Sequence, residues 1–293
     1  MQLRKYQNYA NETLSDFNET DEIANHINQV ISFYNNALPY IESLPSFHIG
    51  YFFATHKLIE LALNHTFFNN KTLLEIGCGL GKTLFYLANT YNVNCTGIDL
   101  NAKQIEILSN SIYSQKLTDR ITALVLNALN INSNLGSYDI VWSEDSFSHI
   151  PNRNVLFKNI YNILKKNGVL IFSDLVKTRR ISYKELLSQQ KAWSLWNIES
   201  KESYLKIIND SGFKILECLD NIGNTLLKEH IKEDSANGDI DYKGYKEYLI
   251  NNREKLLKEW GIYNYTRRFE RLKTYEYFEE EKLDYNFYVA LKK

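Results

Sequence analysis

Leu73-Leu74-Glu75-Ile76-Gly77-Cys78-Gly79-Leu80-Gly81-Lys82-Thr83 decides how the chain is read. An apolar strand breaks into three alternating glycines behind an acid, then resumes with helical spacing. About twenty residues on, Asn94-Cys95-Thr96-Gly97-Ile98 reads as a second strand ending on Asp99, the separation at which a carboxylate grips a ribose. Glycine lets backbone approach a ligand that a Cβ would push away. Strand, glycine turn, helix, strand and acid together point to a nucleoside-bearing ligand.

The spacing E-x-G-x-G-x-G differs from the G-x-G-x-x-G of dinucleotide folds, where a helix N-terminus faces a pyrophosphate. Glu75 before the first glycine suits a cationic ligand end better than a phosphate. This arrangement resembles the first motif and following acidic loop of class I S-adenosylmethionine (SAM) methyltransferases. The resemblance implies SAM as cofactor and S-adenosylhomocysteine as product.

Around this unit strands and helices alternate. The spacing predicts strands at Thr72–Ile76, Asn94–Ile98, Ile121–Leu126, Tyr138–Trp142 and Gly168–Asp174. Helices are expected at Lys82–Tyr91, Ala102–Lys116 and Arg153–Leu164. Such alternation means a parallel sheet with helices on both faces and ligands beyond the strands' carboxyl ends. After Asp174 the rhythm changes to an amphipathic helix over Tyr183–Trp196, a second at Ser200–Ser211 and a sixth strand from Gly212. Residues 223 to about 283 read as helical, charged and tyrosine-rich, and Tyr285–Leu291 alternates like a strand.

The expected fold is α/β: a Rossmann-like, seven-stranded, mostly parallel sheet with an antiparallel last strand, plus a helical lid. In methyltransferases of this class the last strand lies beside the sixth. The domain reading is a helical cap at 1–65, with Ile23, Ile27, Val30, Ile31 and Tyr34 at helical spacing, then a SAM-binding core at 66–222. A substrate lid at 223–284 and the final core strand at 285–293 follow.

Composition narrows the function classes. The chain has 293 residues, 44% of them hydrophobic, and a formal net charge of −1. That charge argues against a strongly electrostatic nucleic-acid or membrane partner. No apolar run reaches membrane-spanning length, and Met1-Gln2-Leu3-Arg4-Lys5 lacks a signal-peptide core. Three cysteines, Cys78, Cys95 and Cys218, fit reduced thiols and a cytoplasmic setting. No His/Cys cluster has metal-ligand spacing, so no metal is expected.

A second stretch carries chemistry: Tyr138-Asp139-Ile140-Val141-Trp142-Ser143-Glu144-Asp145-Ser146-Phe147-Ser148-His149. A strand delivers two carboxylates and a histidine to the ligand edge, and such carboxylates are costly unless they face ligand or water. The segment resembles the W-S-[QE]-D-A-F-x-H signature of sarcosine and dimethylglycine N-methyltransferases. His48-Ile49-Gly50-Tyr51 resembles the H-x-G-[YL] segment those enzymes fold over the methionine end of SAM. Leu164-Lys165-Lys166-Asn167-Gly168 resembles their L-K-P-G-G turn, with asparagine in place of a glycine. The likeness covers about residues 46–220.

It implies cofactor contacts from Tyr51, Glu75, Gly77, Cys78, Gly79, Asp99, Leu100, Gln104, Asn127, Ala128 and Glu144. Gln104 reaches the ribose or adenine edge, or faces solvent; Asn127 lies near adenine, or is a polar strand end. His149 and Asp145 are the catalytic candidates. His149, with a reference pKa of about 6.5, is a proton acceptor or orienting group, or bonds within its loop. Asp145 or Glu144 holds an incoming amine, or one of them satisfies backbone N–H groups. Arg179, Arg180, Arg267 and Arg268 are candidates for a substrate anion, or surface charges. Trp193 and Trp196 are expected to join lid to core.

The implied activity is methyl transfer to a small-molecule amine, as in sarcosine/dimethylglycine-like N-methylation, with a homodimer as one open assembly. The alternatives are C- or O-methylation of a small metabolite or natural product, phosphoethanolamine-type N-methylation, or a non-catalytic SAM-binding protein.

Overall fold

A seven-stranded sheet with strand order β3-β2-β1-β4-β5-β7-β6 runs through the molecule. The computed structural model describes residues 21–41, 48–226 and 242–293. The strands are β1 (Thr72–Ile76), β2 (Asn94–Asp99), β3 (Ile121–Val125), β4 (Tyr138–Glu144), β5 (Leu164–Lys177), β6 (Phe213–Leu219) and β7 (Leu283–Lys292). The first five pair parallel, while β7 runs antiparallel between β5 and β6. This is the expected Rossmann-like class.

Both faces of the sheet are covered. Leu73, Ile140 and Trp142 point into one buried cluster, while their neighbours Leu74, Ile76 and Val141 point into another. Alternation between two cores explains why these strands read as near-continuous apolar runs. The helices are α1 (Asp21–Ile41), α2 (Tyr51–Leu63), α3 (Lys82–Thr90), α4 (Ala102–Ser114) and α5 (Arg153–Ile163). They continue as α6 (Tyr183–Trp193), α7 (Lys201–Asp210), α8 (Tyr242–Asn251) and α9 (Arg253–Glu279). Among the described residues no helix is long and apolar enough to cross a membrane.

Element boundaries move for identifiable reasons. Gly50, in the left-handed region at φ 78°, starts α2 at Tyr51. β5 begins at Leu164, which pairs with Tyr138 before the register shifts; the run resumes at Val169 opposite Ile140. Asn167 has φ 61°, a conformation asparagine tolerates where the family turn has glycine. Gly261, at φ 75°, breaks α9 into two helical pieces. Part of the expected lid, residues 227–241, lies outside the described residues.

Strand order reverses at β1, which has β2 on one side and β4 on the other. A crevice therefore opens beyond the carboxyl ends of β1 and β4, where open α/β sheets take their ligands.

Candidate functional site

The three glycines after β1 serve different needs. The amides of Gly77 and Cys78 both donate to the Ile98 carbonyl, at 2.8 and 3.1 Å, tying the turn to β2. Gly77 has φ 73°, and a Cβ there would sit 2.0 Å from Ser146 Oγ. Gly81 caps α3, and a Cβ on it would meet Leu108 Cδ1 at 2.4 Å. Only at Gly79 does the position open onto the cleft, with Gln104 Oε1 the sole neighbour at 3.4 Å. Close backbone approach to a ligand is thus a property of Gly79, while Gly77 and Gly81 are dictated by conformation and packing.

Asp99 ends β2 with its oxygens toward the turn: Oδ2 accepts from the Gly79 amide at 2.9 Å and Oδ1 from the Asn101 amide at 2.8 Å. Burial raises its pKa, and the backbone donors oppose the rise. Asn101 then caps α4 by accepting from Lys103 and Gln104 amides, which turns the buried Gln104 toward Gly79. Asn127 caps the 3₁₀ turn Ala128–Asn130 through its Oδ1 and the Leu129 amide, at 2.9 Å.

Two carboxyls behave differently although adjacent strands carry them. Glu144 is a hub: Oε1 accepts from Thr83 Oγ1 (3.0 Å) and Trp142 Nε1 (2.9 Å), and Oε2 accepts from Thr55 Oγ1 (2.9 Å) with His48 Nε2 at 3.3 Å. It pins α2, α3 and β4 together. Glu75 is also buried, yet its Oε2 has no hydrogen-bond partner. Burial, then the charges of Glu144 and Asp99, push its pKa well up. An orphaned acceptor at the cleft wall, beside backbone left open at Gly79, fits a ligand bringing its own donors.

Asp145 follows β4 in the left-handed region at φ 52°. Its Oδ2 accepts the Ile49 amide at 2.6 Å, and Tyr285 also bonds its carboxyl. Burial and the nearby Asp174 charge raise its pKa well above the ordinary carboxylate range. His149 is engaged on both ring nitrogens: Nδ1 lies 2.9 Å from the Ser194 carbonyl and Nε2 lies 3.1 Å from Tyr34 Oη. The carbonyl can only accept, so Nδ1 carries the proton and Nε2 accepts from tyrosine. Burial pushes its pKa down to about 4.

These groups border two joined spaces. The larger cleft has about 1300 Å³ of empty space counting its open mouth. Glu75, Gly77, Cys78, Gly79, Asp99, Leu100, Gln104, Asn127, Ala128, Glu144, Asp145 and His149 all line it. The Tyr51 side chain lies outside the described residues. A smaller chamber, with about 600 Å³ of empty space counting its open side, shares Tyr34, His48, Asp145 and His149 with the cleft, and adds Ile49, Ser148, Leu175, Trp193, Leu195 and Tyr275.

The arginines do not converge on these spaces. Arg180 pairs with Glu281 in solvent, and Arg268 stacks on Trp260 at 4.6 Å. Arg267 stacks on Phe33 at 4.1 Å and donates to the Ala192 carbonyl and Ser194 Oγ. Trp193 does join lid to core, donating from Nε1 to Thr274 Oγ1 at 2.9 Å. Trp196 instead meets His26 edge to face, at 5.1 Å.

The sequence reading missed the wall supplied by α1. His26, Ile27, Val30, Ile31 and Tyr34 line the cleft, and Asn35 Oδ1 accepts from Asn101 Nδ2 at 3.1 Å. The helical spacing of Ile27, Val30, Ile31 and Tyr34 was the available signal: that face covers the cleft rather than a cap's own core.

With the geometry in place, comparison with known proteins identifies the domain. The family described as "Methyltransferase domain" matches residues 74–172. Phosphoethanolamine N-methyltransferase 1 of Triticum aestivum is 24% identical over 211 residues, covering 67% of this chain and 41% of that protein. An O-methyltransferase of Pyrenophora dematioidea is 25% identical over 173 residues, covering 59% of this chain and 62% of that one. The chain thus spans about two fifths to three fifths of the length of these two relatives. A crystal structure from Galdieria sulphuraria, provisionally assigned as a sarcosine dimethylglycine methyltransferase, superposes with TM-score 0.68 at 20% identity, covering 83% of this chain and 85% of that one. That likeness shows the fold. Residues 74–172 thus match a methyltransferase domain, set within a sheet of the same fold.

Proposed function

We propose that this chain methylates a small amine, binding SAM in the larger cleft and the acceptor in the smaller chamber. The observation that carries the reading is the position of Asp145, a buried carboxyl bordering both spaces, with Tyr34, Trp193 and Tyr275 among the chamber walls. A carboxylate among aromatic faces is the usual recognition of an ammonium.

The residues present fit the cofactor. Asp99 accepts ribose hydroxyl donors, Gln104, Asn127 and Ala128 lie where adenine would lie, and Glu75 offers Oε2 to the amino group. Leu100 and Cys78 complete the walls. Glu144 acts one step back, holding Thr83, Thr55 and His48 in place.

SAM supplies a methyl group activated by its sulfonium. The chain must position the acceptor nitrogen in line with that methyl, about 3 Å away, with its lone pair free. An ammonium must first lose a proton. Asp145 takes it: burial and the Asp174 charge raise its proton affinity well above that of an ordinary carboxylate. His149 remains neutral and orients Tyr34, which helps shape the chamber. Helix α9 bounds the chamber through Tyr275 and through the bond from Trp193 to Thr274.

O-methylation of a small phenol or enol is the second reading, favoured by likeness to the O-methyltransferase of Pyrenophora dematioidea. Labelled SAM incubated with matched amines and phenols tests the choice. Label in amines alone supports the first reading; label in phenols alone overturns it.

A further inference from the structure

Which amine the chamber takes is constrained by what its wall lacks. Among the described residues, the wall offers aliphatic side chains (Ile49, Leu175, Leu195), aromatic rings, the Ser148 hydroxyl, which bonds Asp174, and one carboxyl, Asp145, with no lysine or arginine. Burial keeps His149 neutral, and its ring nitrogens are occupied by the Ser194 carbonyl on Nδ1 and Tyr34 on Nε2. His48 turns its Nε2 to Thr55 Oγ1 and Glu144.

Nearby cations are directed elsewhere. Arg267 and Arg271 lie over the Phe33 ring at 4.1 and 4.4 Å, both donate to the Ala192 carbonyl, and both line a separate groove outside α1. Arg153 donates to the carbonyls of Phe147 and Asn197 and pairs with Glu199. Behind Asp145 stand more acids, Asp174 and Glu144, whose charges both act on its carboxyl. An anionic group entering the chamber would meet the acids behind Asp145 with no cation in the wall to pair with, only the Ser148 hydroxyl and the charges of Arg267 and Arg271 acting from behind Tyr34.

Resting on the amine reading above, we infer that the acceptor is an amine with an apolar body and no carboxylate or phosphate. The chamber selects amines against the corresponding amino acids and phospho-amines. The ammonium sits at Asp145, and the body lies among Leu175, Leu195, Trp193 and Tyr275.

The experiment uses the full chain, labelled SAM and matched pairs: phenethylamine with phenylalanine, tryptamine with tryptophan, and ethanolamine with phosphoethanolamine. In each pair the anion-free amine is expected to exceed its partner in kcat/KM by about a hundredfold, because an unmatched like charge in a dry site costs several kcal/mol. Amino acids or the phospho-amine turning over as well as or better than the amines would overturn the inference and leave the amine reading standing. Methylation of phenols alone would instead sink the amine reading, and the inference with it. Leu195→Lys, which introduces a cation into the wall away from the reacting groups, should shrink the amine preference about tenfold. A preference unmoved by that variant, in a protein that still binds S-adenosylhomocysteine, also counts against the inference.

Discussion

The hydroxyl of Tyr34 lies 3.1 Å from Nε2 of His149, 115 residues further along the chain. A second tie runs from His26 Nε2 to the His149 carbonyl at 2.9 Å. Together they fasten α1 across the mouth of the cleft and fix His149 in one neutral tautomer.

That tautomer makes stability pH-dependent. His149 has its pKa pushed down to about 4 in the fold, against about 6.5 in an unfolded chain. Between those values the unfolded state binds more protons. The stabilisation is therefore whole above about pH 6.5 and drains as pH falls toward 4, by about 1.4 kcal/mol per unit. Burial lowers His26 as well, adding in the same direction. Urea unfolding at several pH values should show a steeper acid loss for the wild type than for His149→Gln, and parallel curves would remove His149 as the cause.

Gly77→Ala should destabilise for two separable reasons. A left-handed φ costs a non-glycine residue about 1–2 kcal/mol, and overpacking against Ser146 a further 1–3 kcal/mol or so. In a double-mutant cycle, Ser146→Gly should recover only the second part. Full recovery, or none, would show the division to be wrong.

Asp99→Ala removes the acceptor for the Gly79 and Asn101 amides as well as for a ribose. Each lost bond to a charged group is worth about 1.5–3 kcal/mol, so S-adenosylhomocysteine affinity should fall at least tenfold to a hundredfold. Calorimetry reads this directly, and unchanged affinity would exclude Asp99 from the cofactor site.

Asp145 must be ionised to accept a proton, and Asp174 helps hold its pKa up. The acid limb of kcat/KM should therefore lie above the usual carboxylate range. Asp174→Asn, which can keep an oxygen for the Leu175 amide while its NH2 faces Tyr204 Oη as a donor, should move that limb to lower pH. Asp145→Asn should lower kcat at least a hundredfold, within the usual span of general-base catalysis, ~10²–10⁴-fold, with little change in cofactor affinity. A limb unmoved in Asp174→Asn would mean another group titrates there.

The sheet was legible because its signals are local. Buried parallel strands leave apolar runs, and the interval from Glu75 to Asp99 lies within one strand–helix–strand unit. The residues named for the cofactor share a rim because they follow successive strands, which the topology gathers at one edge. What stayed hidden depends on partners distant in the chain. Ser146 beneath Gly77, Tyr34 against His149 and Asn35 against Asn101 pair residues 66 to 115 positions apart, and no local pattern encodes such contacts. Glu144 and Glu75 were both expected to contact the cofactor; the four side chains converging on Glu144 separate a framework hub from an acid left open.

The insertion of β7 between β5 and β6 also orders events during synthesis. Strand β6 hydrogen-bonds to β7 and to no other strand, so residues 213–219 emerge from the ribosome some sixty positions before their neighbour exists. A nascent chain can zip the five parallel strands, yet it must leave β6 unpaired until residues 283–292 arrive. Tyr285, bonded to the Asp145 carboxyl, comes with that late strand. The Asp145 edge of the cleft is thus finished by the same step that seals the sheet, and an arrested chain has neither.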